Sequence, residues 1–262
     1  MQKLFSYTFS QHIWRIIPDA NPGSGQWAIE LRDTEKKIAS VAILDLSKEG
    51  VIWQGIPEGM DWWASMTAFS NGTFFLHHYR YPDLPEPTDL SAFSAQTGEI
   101  LWSLPNYLMV RVIDDHTIEV ATKTAVLFTY KHCDVRSGSI SAQSESQPQQ
   151  ENQIILTEPV RYKKGNSFFD KLASFISKET GGHEPISIDY LEKRPYIIFS
   201  YYIYHQDKTA QYLLIVTDRG ESVLHEKLSE ERAGIGRSTM LLKASTLVYL
   251  RNNNEFSSLT LS

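Results

Sequence analysis

Along most of the chain apolar and polar residues alternate, in runs too short for helices. Alternation with a period of two marks a strand with one face buried. Such runs occupy 3–9, 12–17, 27–31, 38–46 and 51–56, with turn chemistry between them. In the turn 18–25 (PDANPGSG) prolines hold φ and glycines supply positive φ. The pattern restarts at 64–69, 73–81, 89–95 and 99–104, with Ser70-Asn71-Gly72 as a tight hairpin turn and a proline-rich loop at 82–88. A third set lies at 108–113, 117–123 and 125–134, a fourth at 186–191, 196–204, 212–217 and 221–228, and a fifth at 239–243, 246–250 and 255–262.

The stretch Asp89–Pro105 sets the register for the others. An alternating strand (Leu90, Ala92, Ser94) enters the turn Gln96-Thr97-Gly98, and a second strand leaves it through Trp102. The run from Asp134 through Ser137-Gly138 to Ile140 echoes it, and Trp53 and Leu224 take the place of Trp102 in weaker copies. In this register Trp102 packs between neighbouring units. The outer strand of the third unit has two candidates, the Ser/Gln-rich stretch after Ser139, which reads as a flexible loop, and 152–162. One segment breaks the period. In 167–180 the apolar residues Phe168, Phe169, Leu172, Phe175 and Ile176 follow helical spacing, with Ser167 placed to cap the start and Gly181-Gly182 to stop the end.

The fifth set is one strand short, and the chain begins with one strand more than its first set needs. If the N-terminal strand completes the last sheet, five four-stranded sheets close into a ring and hide their edges. Repeats of this length are the signature of propellers. The expectation is therefore an all-β fold, a five-bladed β-propeller closed by the N-terminal strand, with residues 1–262 as one domain and a helical insertion at about 139–185.

Thr97-Gly98-Glu99-Ile100-Leu101-Trp102 resembles the turn-and-outer-strand signature of quinoprotein-type propeller repeats. The likeness covers a minor part of each unit and only this copy is close. It implies blade geometry; the quinone cofactor is not carried over, and no cofactor is expected. The chain is also similar to an uncharacterised bacterial family, a domain of unknown function without a signal peptide, which implies no activity.

Composition narrows the partners. Aromatic content of 12% within a hydrophobic content of 42% favours packed strands. A net charge of −6 without a basic stripe excludes a general nucleic-acid binder. The single cysteine, Cys133, cannot form an internal disulfide and fits a reducing cytosol, either as a buried small side chain or as a nucleophile. The start of the chain lacks signal-peptide character, and no apolar run reaches the length of about 18 residues that spans a bilayer. These features predict a cytoplasmic protein with no membrane partner.

Candidate chemistry gathers at the loops. Connections from an outer strand to the next inner strand share one end of the sheets with the turns between second and third strands, and that end carries the longer loops. Asp61-Trp62-Trp63 either stacks a sugar or base beside a carboxylate or splits into packing roles. In His77-His78-Tyr79-Arg80-Tyr81, strand alternation puts His78 and Arg80 on one face, suited to an anionic group, with interblade packing as the other reading. Adjacent histidines on a strand do not reach one metal ion, and no metal site is expected. Asp114-Asp115-His116 reads as a turn that bonds its own backbone or as a catalytic cluster. Gly234-Ile235-Gly236-Arg237, with Arg232, reads as a loop or a small anion nest. The candidate ligand-binding residues are Trp62, Trp63, His78, Arg80, Tyr107 and Arg237. The expected function is a non-enzymatic binding or interaction module for a protein or a small anionic or carbohydrate ligand. The alternative is a glycoside-type hydrolase using channel carboxylates such as Asp61, Asp114 and Asp189. In a third possibility Phe168, Leu172 and Phe175 of the helix dock a partner.

Overall fold

A computed structural model describes residues 2–81, 83, 86–124, 127–142, 156–236 and 239–261. The chain is all-β with one helix among these residues. It divides into two compact units, one of Ser10–Ile154 and one of Met1–Phe9 with Ile155–Ser262. Among the described residues no helix is long and apolar enough to cross a membrane.

The chain opens with β1 (Gln2–Thr8), whose partner lies at the far end of the sequence. Three antiparallel sheets follow, each built from consecutive strands in sequence order, the local hairpin meander of a propeller repeat. The first holds β2 (His12–Pro18), β3 (Gln26–Asp33), β4 (Ile38–Asp45) and β5 (Gly50–Gly55). The second holds β6 (Ser65–Ser70), β7 (Thr73–His78), β8 (Asp89–Ser94) and β9 (Ile100–Pro105). The third holds β10 (Leu108–Val112), β11 (Thr117–Thr124), β12 (Leu127–Asp134) and the short β13 (Ile140–Ser141).

Strand alternation makes both faces of the second sheet apolar. Phe74 and Phe93 face Val41 and Ile43 of the first sheet, while Phe75, Leu90 and Ala92 face Ile118, Val120 and Cys133 of the third. Two tryptophans fill the gaps as the register predicts. Trp53 stacks on Phe74 at 5.9 Å and covers Gly98, where a Cβ would overlap its ring. Trp102 packs on Phe75, donates its indole N–H to the Val135 carbonyl at 2.9 Å, and lies where a Cβ on Gly138 would meet it at 2.7 Å. Each turn glycine is thus required twice, for its positive φ and for the ring above it. A bulge places one extra residue beside each docking position, Ile52, Leu101 and Val223, so Trp53, Trp102 and Leu224 hold equivalent places.

The second unit begins with β14 (Leu156–Thr157) and β15 (Val160–Lys163) and continues through α1 (Phe169–Glu179). Next come β16 (Pro185–Lys193), β17 (Tyr196–His205), β18 (Lys208–Thr217) and β19 (Ser222–Lys227), then β20 (Met240–Lys243), β21 (Thr246–Arg251) and β22 (Glu255–Thr260). Its sheets have five strands each, in the orders β15-β16-β17-β18-β19 and β1-β22-β21-β20-β14. β1 pairs with β22, as the strand count predicts. The candidate outer strand at 152–162 is corrected, because its described part pairs with β20 and β16 instead. The third sheet takes β13, which continues the Asp134–Ile140 echo.

The helix forms where its spacing predicts but starts differently. Phe168 is the N-cap, and no side chain caps it, so Ser167 does not have the predicted role. Phe169 and Ile176 are buried against Ile188 and Phe199 of the adjacent sheet, and Leu172 and Phe175 pack beside them. The helix therefore spends its apolar face on its own sheet, and of the three proposed docking residues only Phe168 is exposed. Leu172 and Phe175 are half-buried, so the partner-docking reading keeps Phe168 as its exposed ring.

Candidate functional site

The loop end of the first two sheets assembles as strand geometry predicts. Asp61, Trp62 and Trp63 lie in the β5–β6 connection, and Lys37 closes the β3–β4 turn. The Lys37 ammonium sits 4.9 Å from the Trp62 ring centroid, so the two kinds of loop meet. In the next sheet the Asn106 N–H, from the β9–β10 connection, donates to Asp89 at the start of β8 at 3.0 Å. At the opposite end tight turns meet one another, as where Asn71 Nδ2 donates to the Asp115 carbonyl at 3.0 Å.

Trp62 belongs to a column of alternating rings and cations. The Arg32 guanidinium lies over both rings, 4.9 Å from the Trp62 centroid and 5.4 Å from that of Trp14, and Lys37 also lies over Trp62 at 4.9 Å. Arg32 is held rigidly. Its Nε and Nη2 donate to Glu30 Oε1 at 2.8 and 2.6 Å, Nη2 also donates to the Ala64 carbonyl at 2.8 Å, and Nη1 donates to the Trp62 carbonyl. Glu30 is fully buried; its second oxygen accepts the Met66 N–H at 3.0 Å and lies 3.9 Å from Arg15. Arg15 also donates to the Met66 carbonyl, tying β2 to β6. Two guanidinium groups thus share the Glu30 carboxylate, and Lys37 adds a further positive charge over Trp62. Trp14 ends the column 50% exposed, and Trp63 nearby in sequence is 52% exposed. Neither Trp62 nor Trp63 enters the core. The packing reading of this pair is therefore replaced by a stacked ring and a solvent-facing one.

His78 and Arg80 do share a side, because Asp89 faces both. Arg80 donates Nε to Asp89 Oδ2 at 2.9 Å and Nη2 to Oδ1, and Thr88 Oγ1 donates to Oδ2 at 3.0 Å. Burial pushes the Asp89 carboxyl up, but the donors from Arg80, Asn106 and Thr88 outweigh it and hold it below the usual range. The Arg80 fork is thus occupied by the protein's own carboxylate, which corrects its reading as the anion-binding group. His78 Nε2 is buried with no hydrogen-bond partner among the described residues. Burial lowers its pKa, against the upward pull of Asp61 and Asp89. His77 turns the other way and its Nε2 accepts the Met109 N–H at 3.0 Å.

The remaining candidates do not join these groups. Tyr107 packs against the core between the second and third sheets, with its hydroxyl 3.5 Å from Lys131 Nζ. Arg237 lies outside the described residues. Arg232, in the same loop, donates to Asn253, Gln211 and the Tyr202 hydroxyl at 2.9, 2.9 and 3.3 Å, which ties the loop down.

The three candidate carboxylates all have structural duties. Asp61 Oδ1 accepts the N–H groups of Trp63 and Ala64 at 2.9 and 2.7 Å. Asp114 accepts the His116 N–H at 2.8 Å, the self-bonded turn of the first reading. Asp189 is fully buried and grips Arg161 through both oxygens at 2.6 and 2.7 Å. Cys133 is buried in β12, and burial, helped by Asp134, pushes its thiol up to about 12. Among the described residues no group of three or more His, Cys, Asp or Glu side chains is placed to hold a metal ion.

Sequence reasoning missed Trp14, Glu30, Arg32 and Lys37. One signal was present: Glu30 and Arg32, two apart in the apolar strand β3, must share a face and pair there. Trp14 had none, because it is the extra residue of a bulge between Ile13 and Arg15 and falls out of alternation.

The profile of a family described as a domain of unknown function (DUF4905) matches residues 20–102, which include β3 to β8 and the Trp62 column apart from Trp14. No curated protein matches the chain. Among solved structures it is similar to a member of the duf4221 family from Bacteroides vulgatus, at 10% identity and TM-score 0.36 over 100% of this chain and 96% of that one. It is also similar to the uncharacterized protein lmo1340 from Listeria monocytogenes, at 6% identity and TM-score 0.38 over 96% and 95%. The β-propeller domain of the Trilobed protease from Pyrococcus furiosus matches at 8% identity and TM-score 0.32 over 94% and 80%.

Proposed function

We propose that the chain is a five-bladed β-propeller closed by β1, acting in the cytoplasm as a non-enzymatic binding module through its longer-looped end. Five sheets among the described residues and the β1–β22 pairing support the closed ring. A single, buried cysteine suits the cytoplasm. The observation that carries the binding reading is the Trp14–Arg32–Trp62–Lys37 column, a rigid ring-and-cation stack whose last ring stands half exposed. A flat face stacks on Trp14, and the adjacent, part-exposed Arg15 favours an anionic substituent, so the ligand class is an acidic carbohydrate such as a uronic acid or sugar phosphate.

Calorimetric titration with uronic acids and sugar phosphates, against neutral sugars, tests this. Trp14→Ala is expected to abolish binding, and Arg15→Gln to weaken acidic ligands by about tenfold, equivalent to about 1.4 kcal/mol, while leaving neutral ones unchanged. Absence of binding across the panel, or binding indifferent to both substitutions, overturns the reading.

A further inference from the structure

The second unit contains a cluster that the proposed ligand site does not use. Tyr201, on β17, is fully buried, and its hydroxyl lies 2.7 Å from His183 Nδ1 and 2.7 Å from His225 Nε2. The three groups come from different places: a central strand, the exposed strand β19, and the segment after α1. Tyr212 of β18 fixes them from one side, stacked on Tyr201 at 5.6 Å and edge-on to His183 at 4.7 Å. We propose that His183, Tyr201 and His225 form a proton-operated latch that holds the C-terminal end of α1 on its sheet and releases it on acidification.

The argument is one of donors and acceptors. A phenol has a single proton to give, and each neutral imidazole offers one N–H and one lone pair. The chain is complete when one histidine donates to Tyr201 Oη and Tyr201 donates to the other. A first added proton settles on the donating imidazole, through its outer nitrogen, and leaves both bonds intact. A second removes the imidazole acceptor and leaves the Tyr201 proton to the Thr180 hydroxyl, which also bonds it. Two imidazolium rings then face each other across one oxygen, with ring centres 5.4 Å apart, and their repulsion opens the latch. Burial lowers both imidazoles, and the charge on His183 lowers His225 further. The titratable groups facing the pair are Tyr201, Tyr212 and each other. Lys178 and Glu184, of opposite charge, line the groove beside the helix.

The helix end depends on this contact. Thr180 closes the last turn through its hydroxyl to the Ile176 carbonyl at 2.7 Å, and Gly182 N–H reaches the Ser177 carbonyl at 2.9 Å. His183 is therefore tied to the helix by three residues of closed turn, and freeing it frees the last turn. Phe169 at the start of the helix and Ile176, both buried, keep the rest docked.

Hydrogen exchange resolved by peptide, corrected for intrinsic rate, tests the latch at pH 7.5 and 5.0. In the native sequence the segment 176–183 is expected to lose at least tenfold in protection at the lower pH, while β17 and β18 stay protected. His225→Gln supplies a neutral acceptor that cannot take a second proton, so protection is expected to persist at pH 5.0. Tyr201→Phe is expected to leave the segment open at both pH values. Equal protection of the native protein at both pH values overturns the proposal. So does loss of protection in His225→Gln over the same window, or native behaviour of Tyr201→Phe.

Discussion

Two adjacent histidines on one strand show how far a residue's position decides its chemistry. His77 and His78 point to opposite sides of β7, as alternation requires. His77 is largely buried and serves as a neutral acceptor for the Met109 N–H. Burial, then the charges of His78 and Arg15, lower its pKa to about 4. The folded value lies below that of the unfolded chain, so the unfolded state binds the proton more readily. Stability from this group is full above pH of about 6.5, declines as pH falls towards 4, and declines no further below that. The total is on the order of 3 kcal/mol. Replacing His77 with Gln, which keeps an acceptor but does not titrate, should flatten the stability profile over this window, read by urea unfolding at pH 7.5, 5.5 and 4.5. Cys133 gives a second residue-level expectation. Its thiol is buried and pushed up to about 12, so it should resist a thiol reagent in the native protein and react at once after unfolding, as an absorbance titration would report. The sequence could place all these residues on strands. It could not reveal that Arg80 is engaged by Asp89, since that contact bridges a loop between β7 and β8.

At the scale of elements, the register was legible and the edges were not. Gly98 and Trp102 belong to a turn-and-strand unit with local rules, a positive φ followed by a strand carrying a large ring, so their copies could be aligned by eye. β14 and β15 have two and four residues, too few for periodicity to show, and only pairing with β20 and β16 makes them strands. The start of α1 was misplaced for a similar reason, since no side-chain hydrogen bond caps its first turn. The docking of a tryptophan on the next sheet's turn glycine can be isolated by comparison. Gly72 and Gly98 share φ near +70°, but a Cβ on Gly72 meets nothing within 4 Å while one on Gly98 overlaps Trp53. Gly72→Ala should cost about 1 kcal/mol, the left-handed backbone penalty alone. Gly98→Ala should cost that plus about 1–3 kcal/mol of overpacking. Urea midpoints of the two variants measure the difference, and equal values would mean that Trp53 swings away freely.

At the scale of the whole molecule, the contact of greatest sequence separation is also the one that protects a sheet edge. β1 covers β22 along its length, with Tyr7 opposite Phe256 and Thr8 opposite Glu255. The junction is reinforced beyond the ladder: Phe9 N–H donates to the Asn254 carbonyl at 2.8 Å, Asn254 Nδ2 returns a bond to Phe9 at 3.1 Å, and Ser6 Oγ donates to Glu255 at 2.5 Å. The rings of Tyr7 and Phe9 meet edge-on at 4.8 Å beside it. This pairing was legible from the sequence by counting strands, not from any motif, because a meander that ends one strand short needs its missing partner from elsewhere. Closing so long a loop costs entropy that only completed contacts repay, so β1 should dock late in folding and detach first. Deleting residues 2–9 exposes the β22 edge, and an open edge pairs with another copy. The truncated protein is expected to self-associate in light scattering and to melt lower by about 10 °C, the shift that a loss of about 3–4 kcal/mol produces in a domain of this size. A synthetic peptide of residues 2–9 added in trans should reverse both effects at saturating concentration, because it restores the same ladder without the covalent link. If the truncated protein stays monomeric with an unchanged melting temperature, β1 does not close the sheet in solution, and the five-bladed ring we propose fails with it.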